Sequence, residues 1–178
     1  MFQYERDAQR VYEAIIRRME LFGLELSKEK TRILPFGRKC DTRETFDFLG
    51  FTHYNSKTRK GYYTVGHKIS RKKKKQFKSN LKKWVKENRD KQFDEFMKKL
   101  NKKLTGSFNY YSLSGMIREV RNLWNHAQYV TFKWLNRRSQ RRSFKLERFY
   151  EIWNDLIVHP YIHVDLWSGD KVIYNKNV

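Results

Sequence analysis

The strongest chemical signal in this sequence is cationic. Arg71-Lys-Lys-Lys-Lys75 is an unbroken basic run, and Lys75, Lys78, Lys82 and Lys86 follow at steps of three and four, the period of one helix face. Tyr62, Tyr63, Phe77 and Trp84 interleave with these cations, and a second cluster stands at Arg137, Arg138, Arg141 and Arg142. Ammonium groups hold phosphates without reading sequence, while guanidinium planes and aromatic rings stack on bases. The combination points to a nucleic-acid partner. A solvated charged face and a nuclear-localisation patch are the plainer readings of the same run.

Other reactive residue types form no comparable pattern. His53, His67, His126, His159 and His163 do not make an H-E-x-x-H pair, and Pro160 breaks the helical face that His159 and His163 would share. Asp41, Glu44 and Asp47 are a dense acidic group that suits turn and surface chemistry better than a metal. Neither a P-loop nor a dinucleotide-binding glycine pattern is present. From the residues alone, no active site, metal or cofactor is expected.

Composition agrees with this. The chain has 178 residues with 40 Lys/Arg against 19 Asp/Glu, a net charge of +21. A domain so basic repels itself unless a polyanion covers it. With 39% hydrophobic and 16% aromatic residues it is too apolar for a disordered basic tail. The mean hydropathy of −0.92 and the lack of a long uncharged apolar run argue against a membrane span. The charged start, Met1 to Arg10, resembles no signal peptide, and Cys40 is a single cysteine without a disulfide partner. A cytoplasmic protein is expected. The excess charge is local: residues 1–56 hold 10 basic and 9 acidic side chains, 57–104 hold 19 and 4, and 105–178 hold 11 and 6.

The elements that must position these groups follow from periodicity. Ala8, Val11, Tyr12, Ile15, Ile16, Met19 and Phe22 make one apolar helical stripe, with Asp7 as N-cap and Gly23 as terminator. Thr31–Phe36 and Thr45–Tyr54 read as strands, and Tyr62–Val65 as the returning strand of a hairpin. Beyond Gly66 the period becomes helical. Phe77, Leu81, Trp84 and Val85 mark one helix, and Phe93 to Leu104 mark a second, closed by Gly106. A third extends over about 115–140 and a last over Glu147–Ile157. The expected fold is α+β: a small segment with one helix and a β-hairpin, then an α-helical bundle.

Several segments also resemble group II intron reverse transcriptases, the maturases. Phe22-Gly-Leu-Glu-Leu-Ser-Lys-Glu-Lys-Thr-Arg32 with Phe36-Gly37 is similar to the stretch after their catalytic aspartates. Phe46-Asp-Phe-Leu-Gly-Phe51 looks like their primer-grip turn. Leu100-Asn-Lys-Lys-Leu-Thr-Gly106 with Asn109-Tyr-Tyr111, and Trp134-Leu-Asn-Arg-Arg138, resemble the core and the end of their thumb, or maturase, domain. Thr105 and Ser107 depart from that pattern.

The resemblance implies that residues 1–66 are the end of a polymerase palm, 67–148 the thumb, and 149–178 a tail helix and extension. It implies a C-terminal fragment without the catalytic aspartates, so that Mg2+ belongs to the full-length RNA-directed DNA polymerase and no cofactor to this chain. Lys30 would contact an incoming nucleotide's phosphates, and Phe48, Leu49 and Gly50 would hold the primer end. As plain structure, Lys30 is a surface lysine, and Phe48 and Leu49 are hairpin core. Lys72, Lys73, Lys74, Lys75, Lys78 and Lys82, with Arg137, Arg138, Arg141 and Arg142, would bind nucleic acid. The implied partners are group II intron RNA, a template–primer RNA/DNA duplex and the other half of the polymerase, with no membrane. The implied role is splicing and intron mobility. The alternative is a stand-alone basic RNA- or DNA-binding protein without catalysis.

Overall fold

The computed structural model describes residues 2–27, 29–38, 40, 42–137 and 143–161. Five helices and one three-stranded antiparallel sheet occur among them, an α+β fold. The chain divides into two compact units, one of residues 1–46 and 54–66 and one of 47–53 and 67–178, so that each strand contributes to both.

In the first unit, α1 spans Glu5–Leu21. Asp7 is not its cap but lies inside the first turn, where a carboxylate suits the positive end of the helix. Gly23 terminates it as expected: its φ is 68°, Gly23 N donates to Glu20 O and Leu24 N to Met19 O, a Schellman closure. None of its residues is buried. Residues 31–36 are not a strand. Pro35 has no N–H to give a ladder, and the segment is tied by side chains instead: Thr42 Oγ1 donates to Pro35 O at 2.9 Å, and Arg32 reaches Thr45 O at 3.4 Å.

The run 45–54, expected as one strand, is two. β1 covers Thr45–Phe48 and β2 covers Phe51–Lys57, while β3 covers Tyr63–Ile69, in the order β1-β2-β3. Leu49 and Gly50 form the break, with φ of 48° and 84°, the two positive values that a type I′ hairpin turn demands. Between β2 and β3, Tyr54 lies across from Gly66, which leaves no room for a Cβ: one would stand 2.4 Å from the tyrosine ring.

In the second unit, α2 (Arg71–Asn88), α3 (Phe93–Tyr111), α4 (Ile117–Leu135) and α5 (Leu146–Leu156) enclose the core. Leu81 and Val85 of α2, Leu100 and Leu104 of α3, and Val120 and Ala127 of α4 are buried in it. Gly106 does not end a helix; α3 continues through it because Phe108 and Tyr111 extend the buried stripe, which outweighs the roughly 0.5–1 kcal/mol that a mid-helix glycine costs. α4 is shorter than the expected 115–140, and residues 138–142 lie outside the described ones. α5 closes the bundle: Trp153 packs on Trp124 at 5.8 Å, and Phe149 on Phe132 at 5.3 Å. No helix among the described residues is long and apolar enough to cross a membrane.

Candidate nucleic-acid interface

α2 is held by few residues and exposes many. It buries Leu81 and Val85, with Phe77 and Trp84 half-buried beside them, and Trp84 stacks on Phe96 of α3 at 5.4 Å. On its other flank, Lys74 forms an ion pair with Glu119 at the start of α4, and Lys86 lies 5.8 Å from the Trp134 ring near the end of α4. α2 and α4 therefore run side by side in the same direction. Arg71, Lys75, Lys78, Lys82 and Lys86, at steps of four, three, four and four, form an exposed stripe on α2. At 1.5 Å per residue it is about 22 Å long, and successive cations rise by about 4.5–6 Å. That spacing suits a row of phosphates.

The stripe ends in a cluster around Trp134. Arg89, just beyond α2, and Arg137, just beyond α4, each stand 5.5 Å from the indole centroid, within cation–π range. Both helices end there, so the cations also face two negative dipole ends. Arg89 has a weak ion pair with Asp90 at 3.8 Å.

The sequence-predicted cations thus divide. Lys75, Lys78 and Lys82 share the stripe, and Arg71 and Lys86 complete it. Lys74 is turned inward to Glu119, and the Lys73 stem lies against Gly50, where a Cβ would come within 3.3 Å of its Cγ. Lys72 is exposed at the edge of the stripe, turned by about 40–60° from Lys86 and Lys75. Arg137 joins the Trp134 cluster, while Arg138, Arg141 and Arg142 lie outside the described residues. Arg89 and Trp134 were missed as site residues because only the packing of α2 on α4 brings them together.

The hairpin tip is a second feature of this unit. Phe48 and Leu49 are 60% and 68% exposed, so the tip is not hairpin core. A left-handed leucine is an uncommon conformation, and it is fixed from both sides. The Tyr110 hydroxyl donates to Leu49 O, and Ser70 N donates to Gly50 O at 2.9 Å. Phe51, beside the turn, stacks on Tyr110 at 5.5 Å. Burial, and secondarily the neighbouring Tyr110, push the Tyr111 phenol up. Lys30 belongs to the first unit and is exposed after the turn that Ser27 O makes with Lys30 N and Thr31 N.

The histidines take structural places. His53 and His67 face each other across β2 and β3 with their Nδ1 atoms 2.9 Å apart, so one nitrogen donates and the other accepts. Burial, then the charge of His53, holds the His67 pKa below its ordinary value. His126 of α4 is half-buried; burial, then the charge of Lys78, lowers its pKa too. His159 stacks on Trp124 at 5.0 Å, and His163 lies outside the described residues. Asp47 accepts from Thr52 Oγ1. Among the described residues, no three His, Cys, Asp or Glu side chains converge as metal ligands.

No curated protein and no solved structure matches the chain. A family model does: residues 74–151, from the first turn of α2 into α5, match the group II intron, maturase-specific domain. The segment holds most of the basic stripe and the Trp134 cluster. The match spans a little under half of the chain and supports a protein of the group II intron maturase type.

Proposed function

We propose that this chain binds structured group II intron RNA through the stripe on α2 and assists splicing by stabilising the fold in which the RNA reacts. The carrying observation is that Lys75, Lys78, Lys82 and Lys86 form one exposed row inside residues 74–151, the matched domain. The RNA supplies the bond-breaking groups, and the protein supplies counter-charge where phosphate strands crowd together. The second part of the proposal concerns the tip. Phe48, Leu49 and Gly50 grip the primer end of a template–primer duplex, with residues 1–66 as palm and 67–148 as thumb of a reverse transcriptase. The exposed apolar tip, held at positive φ by Tyr110 and Ser70, supports this role. Lys30 is its proposed nucleotide-phosphate contact. DNA synthesis and its Mg2+ are not assigned to the residues of this chain.

The test is a splicing assay on a group II intron RNA at limiting magnesium, with the chain added. Faster splicing is expected, and Lys75, Lys78, Lys82 and Lys86 together changed to Gln should abolish the gain. No acceleration, together with RNA affinity that ignores salt, would overturn the proposal. Equal affinity for duplex DNA and intron RNA would favour the stand-alone basic binding protein.

A further inference from the structure

α4 carries a second exposed row beside the first. Arg118, Asn122, Asn125, Tyr129 and Lys133 recur at steps of four, three, four and four, the same steps as Arg71, Lys75, Lys78, Lys82 and Lys86 on α2. All five are exposed, and α2 and α4 run side by side in the same direction, so the rows flank one seam. Their chemistry differs. The α2 row is purely cationic, whereas the α4 row has cations only at its ends and amides and one ring between them. Tyr129 is 57% exposed, and Lys133, one turn on, has its ammonium 5.8 Å from the ring centroid. The offset that sets Lys86 by Trp134 puts Val130 level with Lys82, and Tyr129 one residue, about 1.5 Å, short of it.

We infer that Tyr129 is a stacking platform for an unpaired RNA base whose backbone runs along the α2 row. This rests on the proposed RNA-binding function and names the kind of RNA. A fully paired helix offers phosphates to the lysines but no base face to a tyrosine, because its bases are stacked on each other. A bulged or looped nucleotide offers both. The ring supplies a π-face, the Lys133 ammonium adds charge at its edge, and Asn122 and Asn125 supply donors and acceptors for a base edge. Trp134 is already surrounded by Lys86, Arg89 and Arg137 and does not fill this role.

The full chain is titrated with two RNA duplexes annealed from separate strands, one fully paired and one identical except for a single bulged adenine. Tyr129→Ala should weaken binding to the bulged RNA by about 5- to 150-fold and leave the paired RNA unchanged. Tyr129→Leu, which keeps apolar bulk without a π-face, should lose as much, and Tyr129→Trp should retain wild-type preference. Equal effects on both RNAs, or none on either, would overturn the assignment. Failure of the underlying function looks different: there, Lys75, Lys78, Lys82 and Lys86 all changed to Gln would leave binding to both RNAs untouched.

Discussion

Two pairs of adjacent or near-adjacent lysines on α2 carry the same charge but do different work, and salt separates them. Replacing Lys78 and Lys82 by Gln removes two cations from the exposed stripe. Replacing Lys73 and Lys74 by Gln removes two whose side chains lie on Gly50 and pair with Glu119. Net charge changes equally, so a diffuse attraction would respond equally. Each phosphate contact contributes about 0.7–0.9 to the slope of log affinity against log salt. The five stripe cations then give about 3.5–4.5, a loss of about 100- to 500-fold between roughly 50 and 200 mM salt. Losing Lys78 and Lys82 should lower that slope by about 1.4–1.8, whereas losing Lys73 and Lys74 should lower it by less than half as much. The second pair should show instead as a small loss of stability, of the order of 0.5–1 kcal/mol for a half-exposed ion pair. Fluorescence anisotropy on a paired RNA hairpin across salt measures the slopes. Equal slopes for the two variants would refute the geometric division of the lysines.

Gly106→Ala should stabilise the chain by about 0.5–1 kcal/mol in thermal or urea unfolding, because the position is mid-helix and a Cβ there meets nothing within 4 Å; destabilisation would restore it as a helix terminator. Gly66→Ala should cost about 1–3 kcal/mol through its collision with the Tyr54 ring, and Tyr54→Ala in the same chain should recover part of that loss. Acidification should destabilise the fold from about pH 6.5 downward, since His67 and His126 are held neutral when folded and take up protons when unfolded. Gln at both positions should flatten that pH dependence, and an unchanged profile would exclude these two imidazoles as its source.

Helical periodicity was the most legible feature of the chain, because each helix buries one stripe and the stripe is local. Ala8 to Met19, Phe77 to Val85 and Val120 to Leu135 all lie in helices, and Phe22 caps the first. What failed was local chemistry overridden by packing. Thr45–Tyr54 reads as one β-run because Leu49-Gly50 lacks the Asn-Gly or Asp-Gly pair that marks a hairpin; Tyr110, 61 residues away, helps fix the turn. Gly106 reads as a stop because the stripe resumes only two residues later, at Phe108. Of the site, the α2 row was visible in its lysines. Lys74 was not visible as a structural residue, since its partner Glu119 belongs to another helix. The α4 row was missed because Asn122, Asn125 and Tyr129 carry no charge, although its spacing matches that of α2.

The cost of the interface falls on the start of α2. Cations are unfavourable at a helix N-terminus, and here Arg71 to Lys75 all crowd into it with no acidic residue in the first turn. Three devices hold the turn against that repulsion. Ser70 Oγ accepts from Lys73 N, Ser70 N anchors on Gly50 O, and Lys74 is neutralised by Glu119. The same contacts fasten the hairpin tip and α4 to this helix end, so the packing of the unit depends on the residues that make it repel itself. Leu81 and Val85 then secure the helix from the core side, which leaves Lys75, Lys78, Lys82 and Lys86 outside every ion pair that spans two helices. Phosphates along that row would offset the repulsion directly. The proposed RNA binding and the stability of α2 would therefore be linked through one set of charges: a polyanion that fills the row would also strengthen the helix that presents it.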